Sequence, residues 1–187
     1  MRRYNNLLAA ITLIFAASVA VAEPYIGIGI GSADYDLDFS LLGGGRVEDS
    51  GTGTKLYGGY SFNKYFAAEA AYYNFAEASI GAVETSPGSG TFVSASASMK
   101  GFGAYAVGVY PVSKKFNLMA KLGMLSWDAD LSVNNNAGSN SGSDPAYAVA
   151  ASYAFTKELL VTAEWESFNT DNPEVDMLSL GFRFNFR

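Results

Sequence analysis

The sequence predicts an all-β chain, an eight-stranded antiparallel up-and-down β-barrel that crosses a membrane. Three observations predict it: apolar residues alternate at period two through much of the chain, a turn motif recurs three times, and no long apolar run suited to a spanning helix follows the N-terminal segment.

That N-terminal segment sets the compartment. Met1-Arg2-Arg3 is positively charged, Leu7 to Val19 is apolar, and Ala20-Val21-Ala22 supplies a small-x-small cleavage site. Residues 1–22 are therefore expected to be a signal peptide cleaved after Ala22, and residues 23–187 one exported barrel domain. The apolar stretch falls short of the about 20 residues a spanning helix needs. With no cysteine in the chain, neither a lipoprotein anchor nor a disulfide is available. The fold must then rest on closed hydrogen bonding or a good core.

Losing Arg2 and Arg3 reduces 12 basic residues to 10, against 18 acidic ones, for a mature net charge of −8. Such a chain is a poor nucleic-acid binder. Its 20 Gly, 12 Tyr and 13 Phe suit a barrel whose strands carry aromatics through two membrane interfaces.

The recurring motif is Tyr, any residue, apolar, small polar, Lys, any residue, apolar. It stands at Tyr60 to Phe66, Tyr110 to Phe116 and Tyr153 to Leu159, with spacings of 50 and 43 residues. Each copy is expected to be the short turn of a β-hairpin, and three short turns at one end imply four hairpins. The intervening stretches, Ser32 to Thr52, Glu77 to Gly90, Asp128 to Asp144 and Asn169 to Glu174, are polar and are expected to be loops at the other end. Short turns of this kind face the periplasm and long loops the exterior. Asn134 to Gly142 is expected to be a flexible exposed loop.

Strand faces follow from alternation. Ile26, Ile28 and Ile30 oppose Tyr25, Gly27 and Gly29. Leu56, Tyr60 and Phe62 oppose Lys55, Gly59 and Ser61. Phe66, Ala68, Ala70 and Tyr72 oppose Ala67, Glu69, Ala71 and Tyr73. Leu118 and Leu122 oppose Lys121 and Gly123, Val149 and Tyr153 oppose Ala148 and Ser152, and Val161 and Trp165 oppose Thr162 and Glu164. Leu178, Leu180, Phe182, Phe184 and Phe186 oppose Ser179, Gly181, Arg183 and Asn185. The fourth strand, from Phe92 to Tyr110, has apolar residues on both parities, and a bulge near Gly101 or Gly103 would switch its faces. A soluble barrel would turn the apolar parity inward. The second parity here, rich in Gly, Ala and Ser with isolated charges, makes a poor solvated exterior and a suitable crowded lumen, so the apolar parity is expected to face lipid.

The runs Lys55 to Glu69 (KLYGGYSFNKYFAAE), Ala120 to Gly123 (AKLG), Leu160 to Glu166 (LVTAEWE) and Val175 to Phe186 (VDMLSLGFRFNF) resemble the OmpA-like transmembrane barrel and the wider outer-membrane β-barrel family. The resemblance covers essentially the whole mature chain. It implies localisation in the cell outer membrane, insertion by the barrel-assembly machinery, and contact with outer-membrane lipid and lipopolysaccharide. Two departures are expected to matter: Phe186 is followed by Arg187 where the family commonly ends on an aromatic residue, and with the sequence stopping at the last strand no wall-anchoring role is expected.

Candidate chemistry is sparse. Glu69, Lys121, Glu164, Glu166 and Arg183 fall on the inward parity, where a narrow lumen brings charges from different strands together; Lys55 is a further candidate member. They form either a charged plug or gate, or a filler network paired with itself. Zero histidines exclude a Ser-His-Asp apparatus, so no enzymatic activity and no cofactor are expected. Asp34, Asp36 and Asp38 suit either calcium or cation-bridged lipopolysaccharide, or the solvated face of a strand running past the membrane. Tyr25, Tyr65, Phe66, Tyr72, Tyr73, Trp127, Trp165 and Phe186 are candidates for interface girdles. The reading that results is a structural or surface-exposed scaffold with polar extracellular loops, a plugged lumen and an unidentified surface ligand. The rivals are a narrow pore for solutes or ions, and an adhesin.

Overall fold

The computed structural model describes residues 23–38, 46–84, 92–133, 136–169 and 174–186. The expected signal peptide, residues 1–22, lies outside them. Eight strands follow in order: β1 (Glu23–Asp38), β2 (Arg46–Ser61), β3 (Phe66–Glu84), β4 (Phe92–Pro111), β5 (Phe116–Val133), β6 (Asn136–Ala154), β7 (Leu159–Phe168) and β8 (Glu174–Asn185). Each pairs antiparallel with the next, and β8 returns to β1 from Tyr25 opposite Asn185 to Asp36 opposite Glu174, closing the barrel.

The recurring motif forms the short turns, and its small polar residue explains them. Asn63 Oδ1 accepts hydrogen bonds from the Tyr65 and Phe66 amides at 2.7 and 2.9 Å. Ser113 Oγ accepts from Lys115 and Phe116 at 3.2 and 3.1 Å, and Thr156 Oγ1 from Glu158 and Leu159 at 3.2 and 3.0 Å. In each copy a side-chain oxygen takes the two amides that the tight reversal leaves without a strand partner.

Near these turns the faces divide as alternation predicts. Ile26, Ile28, Ile30, Leu56, Phe102, Leu122, Val149, Leu178, Leu180 and Phe182 point outward and are exposed. β4 resolves without a bulge at Gly101 or Gly103. Its pairing with β5 is unbroken from Ala95 opposite Val133 to Pro111 opposite Asn117, with Tyr105 and Val107 buried inside and Phe102 outside. The irregularities lie on its other side, where the β3–β4 register shifts between Phe75 and Ala78 and between Ile80 and Val83.

The polar stretches expected to be loops are largely strand. β1 and β2 pair out to Asp38 opposite Arg46, β3 and β4 to Glu84 opposite Phe92, and β5 and β6 to Val133 opposite Asn136. Gly, Ser and Asn carry no hydrophobic alternation, so period two vanishes there, yet main-chain pairing needs none. The expected flexible loop Asn134 to Gly142 is therefore strand from Asn136 onward, paired with Trp127–Val133; residues 134 and 135 lie outside the described ones.

A membrane crossing takes about 9–11 strand residues, whereas β3 to β6 have 19, 20, 18 and 19. Roughly half of each extends past the apolar band, and there the two faces exchange character. Outward positions become Ser32, Asp34, Asn74, Lys100, Ser126 and Asp128, all exposed, while inward ones become Ala33, Phe75, Met99, Leu125 and Met177, all buried. The wall also divides: β2 meets β3 only from Thr54 opposite Asn74 to Ser61 opposite Ala67, and beyond that β2 stays with β1 and β3 with β4. The barrel thus runs from a lipid-facing design into a water-facing one along its own length. In bilayer discs, Ser141→Cys in this cysteine-free chain is expected to react with a water-soluble maleimide as fast as a free thiol, and Leu122→Cys to stay unlabelled. Equal labelling would contradict the placement of the boundary.

Candidate functional site

The interior is where buried ionisable side chains from several strands converge among the described residues. Five charges form a line across it. Glu69 Oε1 of β3 lies 2.5 Å from Lys121 Nζ of β5, which lies 2.6 Å from Glu164 Oε1 of β7. Glu164 Oε2 lies 2.8 Å from Lys55 Nζ of β2, which reaches Glu166 Oε2, also of β7, at 2.8 Å. Acid and base alternate, so each lysine sits between two carboxylates. All five residues are buried.

Tyrosines extend the line at both ends. Tyr25 donates to Glu69 Oε2 at 2.9 Å, and Tyr73 donates to Glu166 Oε1 at 2.6 Å while its Oη lies 3.0 Å from Tyr105 Oη, placed to accept from it. Arg183 enters at one remove: its guanidinium lies 3.7 Å from the Tyr25 ring centroid, and its Nε donates to Asn185 Oδ1 at 2.8 Å. It is half-buried, on the side of the short turns, rather than ion-paired within the row. Tyr57 packs beneath both lysines, with their Nζ atoms 5.3 and 5.4 Å from its ring centroid.

Two features of the sequence make room for this row. β6 contributes Ala148 opposite both Lys121 and Glu166, and Ala150 opposite Glu164, so the strand next to the charges intrudes least. Three of the four lumen tyrosines lie over a glycine: a Cβ on Gly27 would fall 2.2 Å from the Tyr57 ring, one on Gly59 2.2 Å from Tyr25, and one on Gly103 2.5 Å from Tyr105. At these three places the wall leaves space for a large side chain by giving none to its neighbour.

Past the charges, toward the end with the long strands, lies an apolar layer. Tyr73 and Phe75 stack at 5.5 Å, and Phe168 meets them edge-on at 5.1 and 5.4 Å. Leu125, Val175 and Met177 complete it, each fully buried. Beyond it Trp127 Nε1 donates to Asp144 Oδ2 at 2.6 Å.

Of the girdle candidates, Tyr65, Phe66, Tyr72, Trp165 and Phe186 face outward and are exposed, whereas Tyr25, Tyr73 and Trp127 point into the barrel. All three stand on odd positions of strands whose odd positions are inward, so parity carried the signal and residue type concealed it. Tyr57 and Tyr105 have the same parity and belong to the same interior. Asp34 is exposed and accepts a hydrogen bond from Ser32 at 3.4 Å. Asp36 and Asp38 share its parity on a strand that continues through Asp38, an arrangement of a solvated strand face; their side chains lie outside the described ones.

Removing one partner of a buried ion pair strands the other, at a cost of about 3–5 kcal/mol. Lys121→Met, which strands both Glu69 and Glu164, is expected to lose stability of that order in urea titrations of the folded barrel followed by gel mobility. Lys114→Met, on an exposed turn, is expected to change it by less than about 0.5 kcal/mol. A Lys121→Met barrel as stable as the parent would show that the row contributes nothing to holding the lumen together.

Residues 7–186 match the family model described as outer membrane protein beta-barrel domain. The chain is 25% identical over 195 residues to outer membrane protein A of Shigella flexneri and 26% identical over 192 residues to that of Escherichia coli O157:H7, in both cases across 95% of its length. It spans about half the length of these relatives, 54% and 53%. Among solved structures it resembles Neisserial surface protein A (TM-score 0.65, 15% identity, 89% of this chain and 100% of that one). It also resembles Ail, the attachment invasion locus protein of Yersinia pestis, in complex with the heparin analogue sucrose octasulfate (TM-score 0.59, 19% identity, 88% and 99%). At these identities the structures speak for the fold. A family match over nearly the whole chain, joined to a closed eight-stranded barrel with its apolar parity outward, makes this chain a member of the outer membrane protein beta-barrel family, an outer-membrane protein.

Proposed function

We propose that the chain is a non-conducting surface scaffold: a sealed barrel that holds its extended strand ends outside the cell. The observation that carries this is the two-layer filling of the lumen, a row of alternating charges followed by a packed aromatic and aliphatic layer. A solute crossing it would have to separate ion pairs inside a low-dielectric wall and then displace buried rings, each step costing several kcal/mol. On this reading the short turns face the periplasm and the long strands the exterior. The mature chain in planar bilayers is expected to leave the membrane electrically silent. Steady single-channel steps that change in Glu69→Gln would overturn the scaffold reading in favour of a pore.

The projecting strands favour a second role, recognition of a surface ligand. Their outward charge narrows its chemistry: among side chains described at that end, Asp34, Asp128, Asp130 and Asp176 stand against Lys100. A polyanion such as the heparin analogue bound by Ail does not fit such a surface, and a basic partner does. Proteoliposomes carrying the chain are expected to retain polylysine and not heparin at low salt. Heparin retention, or none of either, would remove this role.

A further inference from the structure

The opposite rim has the opposite charge, and its lysines sit in fixed places. Each of the three short turns presents lysine to the outside: Lys64 between β2 and β3, Lys114 and Lys115 between β4 and β5, and Lys157 between β6 and β7, all exposed. The described acids at this end are Glu23 and Glu158, and Glu158 is engaged by the Thr156 hydroxyl at 3.0 Å. The side-chain oxygens of Asn63, Ser113 and Thr156 hold the turn backbones, so the lysines project from ordered reversals.

Just beside them, the outward face carries aromatic pairs. Tyr60 meets Phe62 edge-on at 5.7 Å, Tyr153 meets Phe155 at 5.4 Å, and Phe184 meets Phe186 at 5.2 Å. Lys64 Nζ lies 4.8 Å from the Tyr65 ring centroid and Lys115 Nζ 6.0 Å from that of Tyr153. An aromatic belt of this sort marks the depth of the headgroups, so the ammonium groups stand at the level of lipid phosphates, spaced around the wall at alternate strand junctions. The acids at the far rim repel the same headgroups, which confines the attraction to one leaflet.

From this geometry we propose that the short-turn rim is a binding surface for anionic phospholipid headgroups of the periplasmic leaflet. The lysines of the repeated turns supply charge, and the aromatic pairs fix its depth. The leaflet named depends on the short turns facing the periplasm, as proposed above, but preference for anionic lipid does not. The two can therefore fail separately.

The test reconstitutes the mature chain in vesicles of phosphatidylcholine with a minor fraction of phosphatidylglycerol and measures the lipid immobilised at the barrel wall with spin-labelled analogues. The intact chain is expected to enrich phosphatidylglycerol over phosphatidylcholine, and each of Lys64→Gln, Lys115→Gln and Lys157→Gln to lower that preference by up to about five-fold at low salt. Lys100→Gln, at the far rim, is expected to leave it unchanged, with heat-dependent gel mobility showing that every variant is folded. No enrichment by the intact chain, or full enrichment by a folded variant lacking all the turn lysines, would overturn the proposal. Separately, protease access to the turns in intact cells would reassign the leaflet while leaving the lipid preference standing.

Discussion

Every main-chain amide and carbonyl in the spanning wall must find its partner within the chain, because lipid offers none. The pairing of β8 with β1 meets that requirement by abolishing the last sheet edge. Much else follows from it. Eight strands closed in this way enclose a space only as wide as the side chains that fill it, so whatever the inward parity carries must fit and must be satisfied there. The outward parity is left to the apolar residues.

Filling the lumen is a problem of complementary volumes as much as of charge. Tyr25 and Tyr57 on adjoining strands each occupy space that Gly59 and Gly27 leave, and Lys121 and Glu166 lie against Ala148. Because two lysines serve three carboxylates in one unbroken row, no member is replaceable independently, and Tyr25 and Tyr73 supply hydrogen bonds where the row ends. A buried row of this kind is weak as a source of net stability and strong as a constraint on register, since a one-residue slip of any contributing strand would carry its charge into lipid.

The exchange of faces along β3 to β6 divides the molecule into a lipid-facing part and a water-facing part. Within the apolar band the outward face is apolar, and the charged row and the aromatic layer fill the lumen. Past it the strands form two paired groups with polar exteriors and an apolar interior, a construction suited to water. The charge is divided in the same sense, lysines on the short turns and carboxylates on the long strands.

Much of this was legible in the sequence. Alternation in β1, β3 and β8 assigns their faces, the recurring Tyr-to-apolar motif locates the three short turns, and parity alone places Glu69, Lys121, Glu164 and Glu166 inside. Alternation failed where both faces of β4 are apolar and where the upper strands are Gly, Ser and Asn, since a signal built from hydrophobic contrast disappears when the contrast does. Aromatic type misdirected Tyr25, Tyr73 and Trp127, which suit an interface and a packed lumen equally. By itself, then, the sequence determined strand number, turn positions and which side chains share a face, all of which depend on neighbours a few residues apart. Only the tertiary structure decided which lysine meets which carboxylate, that Arg183 stacks on Tyr25 instead of joining the row, and that an aromatic layer packs inside the lumen beyond the charges. Those contacts depend on the stagger with which eight strands close, and no single strand carries it.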